Sequence, residues 1–303
     1  MPNASVSVII PTLGREQVLV DTLRSVLQQL PEDGELLVVD QTERHDEATD
    51  AQLADLTAHD DRLSIARVVP ASTTAARNFG LAHTTADIVV YFDDDVLLEP
   101  GCLQAHRAAH DEFPEAGGVV GRVQHPGEAV APSLYCMDDY GRESGTFNWL
   151  APSAIGTVNG ANMSFKRAAI EGVGGFDTSF TGNGWREESD AALRVVQSGW
   201  SLRFVPAAHL MHLANPSGGA RAFGSDYYAS SDIYQNETLF FLRRFGVRRL
   251  PVLTVKLVRR GIIRRSALRD RSVGRRAAAL FTGVREGIRL HRTPRRFAAT
   301  PRQ

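Results

Sequence analysis

Apolar and polar positions follow two periods along the first half of the chain. Ser5 to Ile10 and Glu35 to Asp40 are short apolar runs rich in Val, Ile and Leu, while Val18, Leu19, Thr22, Leu23, Val26, Leu27 and Leu30 recur between them at helical spacing. The pattern predicts strand, helix, strand. Leu63–Val69, Asp87–Phe92 and Gly118–Val123 continue it as strands, with helices over 46–58, 73–83 and 101–113. Unbroken apolar strands alternating with amphipathic helices predict an α/β chain whose mostly parallel sheet is flanked by helices on both faces. The second half is less regular. Thr157–Phe165 and Ser201–Val205 read as strands, and Glu188–Ser198 as a helix closed by Gly199. The Pro-, Gly- and Ser-rich stretch from Gln124 to Pro152 is long enough to be a functional loop. From Gln235 onward the pattern is helical and arginine-rich, with breaks expected at Gly246, Pro251, Gly261 and Gly274.

Charge sharpens this division. Residues 1–235 carry 15 basic and 32 acidic side chains, and residues 236–303 carry 19 basic and 3 acidic ones. The reading is therefore one α/β unit over 1–235 and a basic, mainly helical extension over 236–303. Cys102 and Cys136 form no disulfide framework and no Cys-x-x-Cys, so a reducing, cytoplasmic setting is expected. No export signal is visible ahead of the first strand. Leu250 to Val258, the most apolar stretch of the tail, is far short of the ~20 residues that span a bilayer.

In parallel sheets ligands sit at the carboxyl ends of the strands, and the polar residues ending strands here are Thr12, Asp40 and Asp93 to Asp95. Three adjacent carboxylates repel one another, so a cation, most simply a divalent metal holding a diphosphate, is expected among them; a solvated acidic turn is the competing reading. Pro11-Thr12-Leu13-Gly14-Arg15 is not a G-x-G-x-x-G fingerprint, so a nucleotide must be held differently. Asp40 could accept the imide N–H of a pyrimidine or serve as a turn cap. Arg77, on the helix at 73–83, could reach a phosphate or form a surface ion pair.

The segments SVIIPTLGR, LLVVDQ, AARNFGLA, DIVVYFDDDVLLEPG, GANMSFKR, GGFDTSF and REESDAALRVVQSG resemble, in that order, the family 2 glycosyltransferases, which are inverting enzymes of the GT-A fold. The resemblance covers about residues 5–213. It implies a nucleotide pocket lined by Pro11, Thr12, Arg15, Asp40 and Arg77. Asp93 and Asp95 would form the D-x-D element, with Asp95 a direct ligand of Mn²⁺ or Mg²⁺, Asp94 near the ribose and His212 near the metal. A packed polar role is the alternative for His212, and packing is the reading for His209. The general base is expected in Glu187-Glu188-Ser189-Asp190. The resemblance makes the second acid the base, which falls on Glu188, where the family more often has Asp; Glu187 and Asp190 are further candidates or helix-terminal acids that stabilise the macrodipole. Trp185 would form a sugar-stacking wall or a buried support, and Asn162 of the NGAN segment falls on the acceptor side.

The implied activity is metal-dependent transfer of a sugar from a nucleoside-diphosphate donor, UDP or dTDP favoured, to a glycan or lipid-linked acceptor. A sugar-phosphate nucleotidyltransferase would need a glycine- and lysine-rich phosphate loop, which PTLGR is not. A non-catalytic glycan- or nucleotide-binding module would be expected to lack these carboxylates. Across 252–265, Val255, Val258 and Ile262 fall on one helical face and Lys256, Arg260 and Arg264 on the other. Such a helix could rest on the anionic inner face of the cell membrane or pack on the acidic half of the chain. Scarce aromatic residues in the tail argue against nucleic acid.

Overall fold

The computed structural model describes residues 4–219, 229–263 and 272–297. The first strand-helix-strand unit forms as its periodicity predicts: β1 (Val6–Thr12), α1 (Gln17–Leu27) and β2 (Glu35–Asp40). After them come α2 (Glu47–His59), β3 (Leu63–Arg67), α3 (Thr73–His83), β4 (Ile88–Phe92), β5 (Val96–Leu98), α4 (Cys102–Glu112) and β6 (Ala116–Gln124). The sheet runs β3-β2-β1-β4, all parallel. Val6, Val8 and Ile10 of β1 enter the core on one face with Leu19, Leu23 and Val26 of α1, while Ile9 joins Tyr91, Phe165 and Phe176 on the other. This is the two-residue alternation of a strand buried on both faces.

Beyond β4 the sheet mixes directions. Short strands β7 (Cys136–Met137), β8 (Glu143–Ser144) and β9 (Ser153–Ala154) lie in or near the long loop, and β10 (Asn162–Lys166) inserts antiparallel between β4 and β6. The strand expected from Thr157 begins only at Asn162, because Asn159 folds a turn: its Oδ1 accepts the Ala161 N–H at 2.9 Å and its carbonyl the Asn162 N–H at 3.0 Å. Then come α5 (Arg167–Gly172), α6 (Glu187–Gln197) and β11 (Ser201–His212), which is parallel to β6 and antiparallel to β5 and β9. β11 runs seven residues past the expected Val205, with a shift of register between Val205 and His209 around Pro206. Such a shift re-aims the end of a strand, and the backbones approach closely there. A Cβ on Gly121 would lie 2.1 Å from the Ala208 carbonyl oxygen, so glycine is what permits the contact.

The C-terminal helices are α7 (Ser231–Phe245), α8 (Leu250–Gly261) and α9 (Val273–His291). The expected boundary at 235/236 falls inside α7, whose Gln235, Asn236, Glu237 and Thr238 are buried polar residues rather than a solvated linker. Gln235 and Asn236 bond to Ser179 and Thr181, and Arg243 to Asp177 at 2.7 Å. α9 crosses α7 at Gly283 and Gly287, where a Cβ would meet the carbonyl oxygens of Ser231 and Gln235 at 2.3 and 2.7 Å. α8 buries Leu253 and Leu257, turns Lys256 inward to Glu237 and leaves Val255 exposed, so its faces are not those drawn from spacing alone. The reason is that a buried carboxylate draws the lysine in. Arg264 and the side chain of Arg260 lie outside the described residues. Gly246 ends α7, Pro251 opens α8 and Gly261 closes it, but Gly274 sits inside α9. Among the described residues no helix is long and apolar enough to cross a membrane.

Candidate active site

A cavity of about 810 Å³ opens at the carboxyl ends of β1 and β4 and is closed on the far side by the start of α6. β1 delivers Pro11 and Thr12 to its wall, and β4 delivers Asp93, Asp94 and Asp95. The tight turn between β4 and β5 is pinned from α1: Thr22 donates to the Asp94 carbonyl at 3.2 Å and accepts the Val96 N–H at 3.1 Å. Buried Arg15 spans two of the three carboxylates, with Nε 3.0 Å from Asp94 and Nη2 2.9 Å from Asp95, and reaches the carbonyls of Asn215 and Ser217. The re-aimed end of β11 brings His212 Nε2 to 3.1 Å from Asp95 and 3.5 Å from Asp93.

These contacts answer the repulsion expected of the triplet. Burial, opposed by Arg15 and reinforced by Asp95 and Asp93, pushes Asp94 up to about 6. Burial pulls His212 down, but hydrogen bonds and charge from Asp93 and Asp95 prevail and raise it to about 10. An imidazolium and a guanidinium thus hold the cationic positions around the acids. One ligand atom each from Asp93, Asp95 and His212 fall within 4.8 Å of one another, and two carboxylates with an imidazole, once a cation displaces its proton, are a donor set that suits a divalent metal such as Mn²⁺. His209 instead faces Gln124 at 3.2 Å, outside this group, as its spacing predicts.

Across the cavity, α6 starts from a strained turn. Gly184 has φ 71° and Arg186, a non-glycine residue, φ 73°. Such a conformation persists only where its surroundings over-determine it, and those of Arg186 do: it pairs with Glu143, meets Glu237 at 2.9 Å and Tyr135 at 3.2 Å, and lies over the Trp185 ring at 4.7 Å. Trp185 lines the cavity while its indole N–H donates to Glu237 at 2.7 Å, so it is at once wall and support. Glu237 also takes Lys256 at 2.6 Å. Burial opposes its charge, yet Arg186 and Lys256 hold its carboxyl well below the usual carboxylate range.

The three acids of the α6 start separate sharply. Glu188 faces the cavity, accepts a bond from Ser189 at 3.1 Å and has its pKa raised by burial, with Arg77 and Arg186 opposing. Glu187 is buried in an ion pair with Arg77, off the cavity wall. Asp190 is fully buried between Arg194 at 2.8 Å and Arg243 at 3.1 Å. Neither is placed to meet an acceptor. Arg77 does reach the cavity, 3.7 Å from Asp93 and bonded to the Gly160 carbonyl, but as a buried pair rather than a free phosphate arm.

Two further expected site residues lie off the main cavity wall. Asp40 is buried off the main cavity wall: Thr42 N–H takes one oxygen at 2.9 Å, and His45 lies 3.1 Å from the other. Gln41 occupies the wall beside it. Asn162 is also buried. Its Nδ2 donates to the carbonyls of Arg122 and Ala208 and its Oδ1 lies 2.8 Å from His106, so it staples the irregular end of β11 instead of meeting an acceptor. Asn159, Gly160 and Ala161 line the cavity in its place. Sequence reasoning did not single out Gln41, Tyr135, Glu143, Phe147, Thr157 or Arg186, which also form the wall. The length of the 124–152 loop was the one signal pointing toward Tyr135 and Glu143.

Residues 7–171 match the family described as glycosyl transferase family 2, more than half of the chain. The chain belongs to glycosyl transferase family 2. A probable glycosyltransferase of Bacillus subtilis, YdaM, is 24% identical over 215 residues, 67% of this chain and 49% of that protein. The N-acetylglucosaminyl-diphospho-decaprenol L-rhamnosyltransferase of Mycobacterium tuberculosis is 28% identical over 187 residues, 55% of this chain and 59% of that one. The chain thus spans about half the length of these relatives. Among solved structures, GalNAc-T7 with UDP, GalNAc and Mn²⁺ superposes with a TM-score of 0.65 at 14% identity, covering 79% of this chain and 48% of that one. The chain accordingly has the GT-A fold, with the α7–α9 helices packed behind its cavity.

Proposed function

We propose that the chain transfers a sugar from a nucleoside-diphosphate donor to a hydroxyl of a glycan or lipid-linked acceptor, with inversion at the anomeric carbon and a Mn²⁺ or Mg²⁺ ion. The observation that carries this reading is one cavity lined both by the Asp93, Asp95 and His212 cluster and by the carboxyl of Glu188, whose pKa is raised by burial. Asp93, Asp95 and His212 would hold the metal, which when bound neutralises charge gathering on the departing diphosphate. Pro11, Thr12, Arg15 and Gln41 offer the nucleotide a wall between β1 and β2. Glu188 takes the proton of the acceptor hydroxyl as its oxygen bonds to the anomeric carbon and the sugar–diphosphate bond breaks on the opposite face. Its raised pKa suits that task, since a carboxylate that is costly to keep charged is a better proton acceptor. Trp185 and Phe147 supply apolar surface for the sugar and acceptor.

The relative named for a diphospho-decaprenol acceptor supports the lipid-linked alternative, and the neighbour solved with UDP and Mn²⁺ supports the donor class and the metal. Asp40, buried off the main cavity wall and engaged by His45, adds no support to the preference for a pyrimidine base. Hydrolysis of UDP-, dTDP- and GDP-linked sugars, each with Mn²⁺ and with a chelator, tests the reading. At least one donor is expected to be cleaved only with the metal present; metal-independent cleavage throughout would overturn it.

A further inference from the structure

A second cavity of about 350 Å³ adjoins the first and shares Tyr135 and Thr157 with it. Leu134, Met137, Ile155 and Phe240 give it apolar walls. From its rim the base is two hydrogen bonds away, because Thr157 Oγ1 donates to Ser189 Oγ at 3.3 Å and Ser189 Oγ to Glu188 Oε1 at 3.1 Å. Arg244, one turn beyond Phe240 on α7, also lines this cavity.

Arg244 differs from its neighbour. Arg243 is spent on Asp177 and Asp190, whereas among the described residues no carboxylate lies within ion-pair distance of Arg244, and its Nε is buried without a hydrogen-bond partner. Among the described residues its one ring contact is Phe245, 5.2 Å from the guanidinium carbon. A guanidinium beside apolar walls is costly to desolvate without an anion, and its planar fork matches the oxygens of a phosphate or carboxylate.

We propose that this side cavity binds the part of the acceptor remote from the reacting hydroxyl, and that this part is an apolar chain carrying an oxyanion paired with Arg244. The proposal rests on the transferase reading, since it places the acceptor hydroxyl at Glu188 and leads the remainder past Tyr135 and Thr157. It selects an anionic amphiphile over a neutral glycan.

Calorimetric titration of the full-length protein with decyl phosphate, below its micelle concentration, tests it beside decanol and inorganic phosphate. Two variants probe the site differently. Arg244→Gln removes the charge. Gly156→Phe adds a ring at the lining of the cavity, at a position where a Cβ meets no atom within 4 Å. Saturable binding of decyl phosphate is expected in the native protein, at least tenfold weaker in both variants, with inorganic phosphate far weaker and decanol indifferent to Arg244→Gln. No saturable binding, or equal binding in native and Arg244→Gln proteins, would overturn the subsite. Titrating UDP, dTDP and GDP with Mn²⁺ into the native protein separates the two readings. Nucleotide binding without a decyl phosphate response refutes the subsite alone, and failure of both refutes the transferase reading as well.

Discussion

Glu188→Gln is expected to lower sugar transfer by roughly 10²–10⁴-fold, the usual contribution of a positioned general base, while nucleotide and Mn²⁺ bind as in the native protein. The amide keeps the shape and can still accept from Ser189 but cannot take the acceptor proton. The pH profile adds a sign. Burial raises the Glu188 pKa, so kcat/KM should fall on acidification through a limb lying above the ordinary glutamate range, as the carboxylate becomes protonated. That limb should vanish in the variant. Glu187→Gln is a different experiment, because it takes from buried Arg77 its nearest carboxylate and leaves it Asp93 at 3.7 Å. Its main loss should appear in thermal stability, since removing the nearest partner of a buried charge leaves that charge less well compensated. A steady-state assay paired with a melt of each variant decides the matter, and a larger kcat loss with unchanged stability in Glu187→Gln would reverse the assignment.

Asp95→Asn should weaken Mn²⁺-dependent nucleotide binding by about 100-fold or more, because it replaces a charged donor of the cation cluster, where even outer-shell losses cost about 10–100-fold. Asparagine is the informative change. Asp95 also receives Arg15 at 2.9 Å and the Asn215 N–H at 2.8 Å, so alanine would remove support for the loop after β11 along with the charge. Calorimetry with and without Mn²⁺ reads the effect; equal metal-dependent affinity in the variant would remove Asp95 from the site.

Much of this was legible in the sequence wherever chemistry follows from local pattern. The β1-α1-β2 unit declared itself through period and β-branching, and Asp93 to Asp95 declared themselves as acids at the end of an apolar strand. What stayed hidden depends on partners distant along the chain. Asp40 looked free until His45 folded back on it, and Asn162 until α4 presented His106. The family pattern singled out Glu188, but that Glu187 and Asp190 are tied up in ion pairs with Arg77 and Arg243 shows only in the structure. Net charge misled in a different way. The extension is strongly basic on average, yet its decisive residue for the site is acidic Glu237, which holds Trp185 and Arg186 behind the cavity.

The central claim is that Glu188 activates an acceptor on the face of the sugar opposite the departing diphosphate. Proton NMR of sugar released from an α-linked donor, recorded before mutarotation equilibrates the anomers, reads this directly. The β-anomer appearing first, and only with Mn²⁺ or Mg²⁺ present, is the expected result. The α-anomer appearing first would contradict the account.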